Sequence, residues 1–505
     1  MELAKEDLKK IKESLWKSAI KLRVGLGGTH VCAEVCLNLI FLKYISEKFE
    51  KLSKEFEEQK KRIPEALYQD EDYLRNWYIS HNSLYLPEET RWGYINENRN
   101  KQEIKKILDI AFAKLKQGSK RLKTIFSPVF SRMEVKAESV AKLIDIFTNK
   151  MPNLNSSRDT IGQIYEYFLQ QFALESGRKS GEFYTPACVV KLLVALLKPE
   201  KGRIYDPCCG TGGMFIQSSK FAKSLVIFGQ EKETSVWRWC QLNSFIHGLE
   251  YDLGDKAENT FLDYLHSNIK FDYVLCNPPF NLKDWDEEEK VDEERWTYGI
   301  PPRGNANYAW IQHIINKLNE KGVAGIILAK GSVSAENQEK IIRQKILEAN
   351  LLEGIIQLPS KLFYTTQISA VIWIIRKNRK SRKLFFFNAR DFEGEMLDRK
   401  WRELSHPEIN LIANEYKNWL KDDKYYTEGI SASVDLSEIK ESDYLLLPSI
   451  YVKNEEKSFK EQEKEVKEKI KHLSTECLKI FEQLEKNKQT FVSLLRKLVD
   501  DGKFD

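Results

Sequence analysis

Apolar positions in the first 150 residues recur at steps of three and four: Leu15, Ile20 and Leu22, then Val35, Leu37, Leu39, Ile40, Leu42 and Ile45. Strand-like alternation is absent, so residues 1–150 are expected to form an all-α domain. A glycine-rich break, Val24–Gly28 (VGLGG), separates its first two helices, and Lys101–Leu115 (KQEIKKILDIAFAKL) is amphipathic. The stretch Trp77–Tyr94 mixes aromatic and polar residues in the manner of a surface loop. Its aromatics suit packing between helices better than stacking on nucleobases.

The pattern changes at Asp159. Asp159–Leu174 reads as a helix, and the loop Ser180–Pro186 (SGEFYTP) leads into a second apolar helix, Ala187–Leu197. Strands and helices then alternate: strand Arg203–Asp206, a helix from Met214, strand Leu225–Glu231, helix Thr234–His247 and strand Tyr273–Cys276. They continue with helix Asn307–Leu318, strand Gly322–Ala329, helix Gln338–Ala349 and strands Leu352–Leu358, Ala370–Ile375 and Leu384–Phe387. Such alternation over residues 151–453 predicts an α/β domain, a mostly parallel sheet covered by helices on both faces. Ligands of such sheets bind beyond the carboxyl ends of the strands, where strand order reverses.

From about Asn454 the chain is charge-rich and lacks strand signal. Ile470, Leu473, Cys477, Ile480, Leu484, Asn487, Phe491, Leu494 and Leu498 follow alternating steps of three and four, the apolar seam of a coiled coil. Residues 454–505 are therefore expected to form a helical tail that pairs with a partner helix or folds back on its own domain. Asn487 within the seam suits a role in register or partner choice.

Composition narrows the picture without deciding it. At 505 residues and 59.1 kDa the chain exceeds a single core. Lys+Arg 80 against Asp+Glu 75 gives a net charge of +5, so a nucleic-acid site would be a local patch. The charged, helical first 23 residues carry no apolar leader, and no window has the length of a membrane span, which predicts a soluble cytoplasmic protein. The eight cysteines are scattered with no paired C-x-x-C spacing, so reduced core thiols and no metal site are expected.

Three strand tips carry chemistry. Asp206–Gly213 (DPCCGTGG) follows a strand and opens a helix; its glycines, Gly210, Gly212 and Gly213, let a ligand approach the backbone, and helix-start amides favour an anion. Glu231 ends the next strand at the interval where an acidic residue takes ribose hydroxyls. A dinucleotide oxidoreductase or a methyltransferase would explain both. The stretch Phe271–Asn281 (FDYVLCNPPFN) separates them: it is an apolar strand stopped by Asn277, Pro278 and Pro279, followed by Phe280. The Asn277 amide oxygen and the fixed Pro278 carbonyl are two acceptors beside an aromatic face, a corner for a planar ring bearing an amino group. Accepting both amino protons would favour a pyramidal nitrogen aimed at a methyl donor, with Phe280 stacked on a base that has left the duplex.

IFLKYISEKFE (Ile40–Glu50), GEFYTP (Gly181–Pro186), DPCCGTGGMF (Asp206–Phe215), GQE (Gly229–Glu231), NPPFN (Asn277–Asn281), GNANYAW (Gly304–Trp310) and LPSKLFYTT (Leu358–Thr366) occur in this order. Together they resemble the modification (methyltransferase) subunit of type I restriction-modification systems, which methylates adenine at its exocyclic amino nitrogen. The resemblance implies a Rossmann-like sheet using S-adenosyl-L-methionine, with Glu182, Phe183, Tyr184, Thr185, Pro186 and Ala187 and the Thr211–Gly213 loop at the methionine part of the cofactor. It implies Asp206 and Glu231 in the same site, Asn259 reaching the adenine, and Asn277–Phe280 as the catalytic corner. It further implies double-stranded DNA as substrate, a DNA specificity subunit docked on the 454–505 tail, and room for a restriction nuclease subunit. The chain departs from the family pattern at Val24–Cys36.

No large extra domain able to read a DNA sequence lies between the sheet and the tail, so target choice would come from another chain. Two other readings are weighed: a protein glutamine methyltransferase, whose side-chain amide fits a similar corner, and a non-catalytic assembly subunit that keeps the fold.

Overall fold

The structure, a computed structural model, describes residues 5–81, 83–118, 122–126, 130–152, 158–175, 185–222, 224–286, 294–363, 369–396 and 401–453, and in the tail 471, 474–476, 478, 481–493 and 496.

Helices come first: α1 (Lys5–Ile20), α2 (Thr29–Lys60), α3 (Glu65–Tyr68), α4 (Glu71–Ser80), α5 (Trp92–Glu97), α6 (Ile104–Gly118), α7 (Ala137–Lys150) and α8 (Arg158–Glu175). The long α2 is the hub, because apolar side chains on nearly its whole circumference, from Cys32 to Phe49, are buried by its neighbours. Trp16 of α1 meets Phe168 and Phe172 of α8 edge-on at 5.6 and 4.8 Å, so α8 closes this core. The glycine-rich break is a short 3-10 turn, Arg23–Leu26, that leaves Val24 89% exposed.

The stretch Trp77–Tyr94 departs from the surface loop expected of it. It contains the end of α4 and the start of α5 and buries Tyr78, Leu84, Leu86 and Trp92. Tyr78 stacks on Phe49 of α2 at 5.0 Å, which accounts for the aromatics: they pack between helices.

The second part interleaves α9 (Ala187–Leu197), β1 (Lys201–Asp206), α10 (Gly213–Phe221), β2 (Ser224–Gly229), α11 (Thr234–Ile246), β3 (Tyr251–Asp252) and β4 (Phe271–Cys276). It continues through α12 (Asn307–Lys317), β5 (Leu318–Ala329), α13 (Asn337–Glu348), β6 (Leu352–Gln357), β7 (Ala370–Arg376), β8 (Leu384–Asn388), the small β9 (Glu395–Met396) and β10 (Arg402–Glu403) pair, α14 (His406–Lys421) and β11 (Ser431–Val434). The main sheet has the order β11-β8-β6-β7-β5-β4-β1-β2-β3. It is parallel from β3 to β5, while β7 and β11 run antiparallel to their neighbours. Strand order reverses at β1, which pairs with β2 on one side and β4 on the other.

Both faces are covered. Helices α9, α10 and α14 pack on one, and α12 and α13 on the other. The approach of α9 to β5 is close enough that a Cβ on Gly325 would come within 2.5 Å of Leu193. The helical part grips the sheet through α11, whose Leu242, Phe245 and Ile246 enter the helical core and whose Ile246 carbonyl accepts the Tyr44 hydroxyl at 3.0 Å. Cys32, Cys36, Cys188, Cys208, Cys209, Cys240 and Cys276 are free thiols, all buried except the half-buried Cys208.

In the tail, residues 481–493 are helical, and Leu484 and Phe491 of the seam are 59% and 62% exposed. Ile470, Leu473, Cys477, Ile480, Leu494 and Leu498 lie outside the described residues. No helix among the described residues is long and apolar enough to cross a membrane.

Candidate active site

At the carboxyl end of β1 the chain turns through Asp206–Gly212 into α10. Two left-handed glycines make the turn, Gly210 at φ 55° and Gly212 at φ 83°. Any side chain at Gly212 would strain the backbone and bring its Cβ to 2.9 Å from Cys240 Sγ. The neighbouring tip is tied on by the Cys209 amide donating to Gln230 O at 2.9 Å and the Gln230 amide donating to Asp206 O at 3.0 Å. Glu231 spans the gap: one carboxylate oxygen accepts the Gly210 amide at 3.0 Å and the other the Glu233 amide at 2.8 Å.

On the opposite side of β1, strand β4 delivers Asn277. Its Nδ2 donates to Thr185 Oγ1 at 3.0 Å, and its Oδ1 is buried without a hydrogen-bond partner. Such an atom is costly to leave unpaired and marks where a donor belongs. Pro278 is buried, and Phe280 meets Phe363 edge to face at 5.5 Å.

A cavity of about 250 Å³ opens between these tips, at the reversal of strand order. Thr185, Ala187, Asp206, Gly210, Thr211, Gly213, Glu231, Asn259, Asn277 and Pro279 all line it. Pro186, Gly212, Pro278 and Phe280 stand outside its lining. Glu182, Phe183 and Tyr184 lie outside the described residues. Asn259 uses its Oδ1 on the Phe261 amide at 3.0 Å, a turn that presents Phe261 to the cavity.

Further lining residues come from outside the three strand tips. Phe261, Trp285 and Trp310 form an aromatic wall, with Phe261 centred 4.2 Å from Trp310 and 4.9 Å from Trp285. Arg295, 4% exposed, holds this wall by donating to the carbonyls of Thr260 and Phe261 at 3.2 and 2.8 Å. Asn243 of α11 lines the cavity and donates to Thr211 O at 2.9 Å. Glu166 reaches it from α8, with His247 Nε2 at 3.0 Å from its carboxylate. Of the aromatic wall, Arg295, Asn243 and Glu166, only Trp310 lies within one of the family motifs, GNANYAW.

The N-6 DNA Methylase family matches residues 156–460, and the HsdM N-terminal domain matches residues 11–148. The type I restriction enzyme HindI methylase subunit of Haemophilus influenzae is 36% identical over 69% of this chain and 83% of its own length. The MjaIX methylase subunit of Methanocaldococcus jannaschii is 33% identical over 92% of this chain and 88% of its own. The chain belongs to the type I restriction enzyme methylase subunits of the N-6 DNA methylase family.

Membership makes it a DNA methyltransferase of the N6-adenine type. Its fold is shared with the methyltransferase subunit of a type I restriction-modification system from Streptococcus thermophilus, at a TM-score of 0.75 and 24% identity over 88% of this chain and 99% of that one.

The methylase cavity is lined by carboxyl groups. Burial pushes the Asp206 carboxyl up to about 7, opposing the Cys208 amide that favours its ionised form, and nearby Glu231 adds to the rise. Burial likewise pushes Glu231 up to about 7 against the backbone amides of Glu233, Gly210 and Lys232. With Glu166 and Glu233 also in the lining and Lys232 among them, the site suits a ligand that brings positive charge.

Proposed function

We propose that the cavity binds S-adenosyl-L-methionine and that the Asn277–Phe280 corner receives a flipped-out adenine of double-stranded DNA. The residues present suit that cofactor: two raised carboxyls for a cationic molecule, a glycine turn at a helix start for its carboxylate, and an aromatic wall for its purine. Glu231 takes the ribose hydroxyls, Thr185–Ala187 and Thr211–Gly213 flank the methionine part, and Asn259 with Phe261 borders the adenine. When bound, the cofactor supplies a methyl group on a positively charged sulfur, which keeps the bonding electrons as the methyl leaves.

The chain's own contribution is geometric. Asn277 Oδ1 and the Pro278 carbonyl accept the two amino protons, which turns the nitrogen lone pair toward the methyl carbon. As the nitrogen–carbon bond forms, positive charge develops on that nitrogen beside the same two oxygens, and one of its protons then passes to solvent water, leaving the neutral methylamino group. Phe280, propped by Phe363, offers its ring to the extruded base. The observation that carries this reading is the buried Asn277 Oδ1, which lacks a partner while the amide's other end is fixed by Thr185.

The division of labour follows. Residues 1–150 form a helical domain, 151–453 the catalytic domain, and 454–505 a coiled-coil tail that docks on a DNA specificity subunit, in a cytoplasmic complex that also accommodates a restriction nuclease subunit. The exposed Leu484 and Phe491 support the tail as the docking element. Sequencing modified bases in DNA from cells expressing the chain with its specificity subunit tests the proposal: N6-methyladenine at one recurring sequence is expected. Methylation of a protein side-chain amide with unmodified DNA would contradict it.

A further inference from the structure

Phe280 is followed by Asn281, a residue in the left-handed region at φ 52° with its side chain exposed. It is held by the start of α12. The Asn281 amide donates to Asn307 Oδ1 at 3.3 Å, while Asn307 Nδ2 and Asn305 Nδ2 donate to Asn281 Oδ1 at 3.0 and 3.3 Å. Asn305 Oδ1 in turn accepts the Asn307 amide at 3.0 Å, and the Ala306 amide donates to Leu282 O at 2.9 Å. Asn307 is 1% exposed, so its half of the clasp sits on a packed helix and not on a loop.

The same helical turn carries Trp310, three residues on and therefore on the same side of α12. Trp310 is 4% exposed and lines the cavity. The first turn of α12 thus touches the corner through Asn307, with Asn305 just before the helix adding a second contact, and the cavity wall through Trp310. A proline-stiffened corner with one end on β4 still needs its other end fixed, because a displacement of about 1 Å at a reacting atom is enough to cost on the order of 100-fold in rate.

We infer that Asn281, clasped by Asn305 and Asn307, is a positioning residue that sets the distance between the catalytic corner and the cofactor cavity. It stands outside the cavity lining and fixes the far end of the corner against the helix that walls the cavity. The inference rests on the proposed adenine methylation at that corner.

The test uses the chain assembled with its specificity subunit on duplex DNA, comparing Asn281→Gly with Asn281→Asp. Glycine keeps the left-handed turn and loses the acceptor; aspartate tolerates the turn and keeps an oxygen for both amides. Single-turnover methyl transfer at saturating cofactor is expected to fall about 10- to 100-fold in Asn281→Gly and to stay near wild type in Asn281→Asp. Cofactor affinity by calorimetry and the thermal midpoint should remain those of the wild type in both. Asn307→Ala, which removes the other half, should lose a similar factor, and the double variant Asn281→Gly/Asn307→Ala should lose no more than either alone. Wild-type transfer by Asn281→Gly, additive losses, or a loss matched by weaker cofactor binding overturns the clasp while leaving adenine methylation standing. A wild-type complex that makes no N6-methyladenine overturns both.

Discussion

Asn277 Nδ2 donates to Thr185 Oγ1 at 3.0 Å, so a residue at the entry to α9 fixes which end of the catalytic amide faces outward. Without that acceptor the amide is free to turn and present its NH₂ group, a donor where an acceptor is needed. Thr185→Val is nearly isosteric and removes only the acceptor. It should lower the rate of transfer at saturating cofactor by up to about 100-fold, and Thr185→Ser should restore it. Rapid-quench measurement of the three proteins checks this.

Cofactor binding should depend on pH through Asp206 and Glu231. Both carboxyls are held up at about 7 in the free protein by burial, so at pH 6 they are largely protonated and at pH 8 largely ionised. A cationic ligand binds the ionised form, so affinity rises with pH. From pH 6 to pH 8 the dissociation constant should tighten about tenfold for each group whose ionisation is required. Calorimetry in buffers of different ionisation enthalpy should show proton release at pH 6, and Glu231→Gln should reduce it.

The same shifts bear on stability with a defined sign. An acid whose folded pKa is raised stabilises the fold below its unfolded pKa and loses that contribution as pH rises through the folded value. For Asp206 the window runs from about 4 to about 7. Above it the free protein carries a buried charge, so Asp206→Asn should raise the thermal midpoint at pH 8 and change it little at pH 4.

The glycine turn should tolerate no side chain at its second left-handed position. Gly212→Ala meets both a φ of 83° and Cys240 Sγ at 2.9 Å, and should destabilise the protein by about 1–3 kcal/mol. Gly213, where a Cβ would enter open space, serves as the comparison: Gly213→Ala should leave the thermal midpoint nearly unchanged and weaken cofactor binding instead. Thermal unfolding together with calorimetry separates the two.

The tail should be dispensable for the site and indispensable for assembly. Leu484→Lys with Phe491→Lys places charges on two exposed seam positions. Co-purification with the specificity subunit should be lost while cofactor affinity is kept, which size-exclusion chromatography and calorimetry check.

What was legible in the sequence was local. The strands around Tyr205, Ile227 and Val274 are short apolar runs ended by glycine or proline, and the three tips they carry, Asp206, Glu231 and Asn277, meet in one cavity because parallel strands put their carboxyl ends on one side. The capping box of α14, Ser405 with Glu408, is also a local signal. The aromatic wall, Asn243 and Glu166 come from separate loops and helices whose own patterns reflect only packing, so tertiary structure alone unites them. Trp77–Tyr94 misled for a related reason: it lacks a period of its own and takes its burial from α2.

The most direct measurement is of the product. The complex of this chain with its specificity subunit is supplied with methyl-labelled S-adenosylmethionine and duplex DNA, and the digested nucleosides are separated. Label in N6-methyldeoxyadenosine from the wild type, and its loss in Asn277→Ala with cofactor binding intact, is the result this account predicts; undiminished transfer by Asn277→Ala contradicts it.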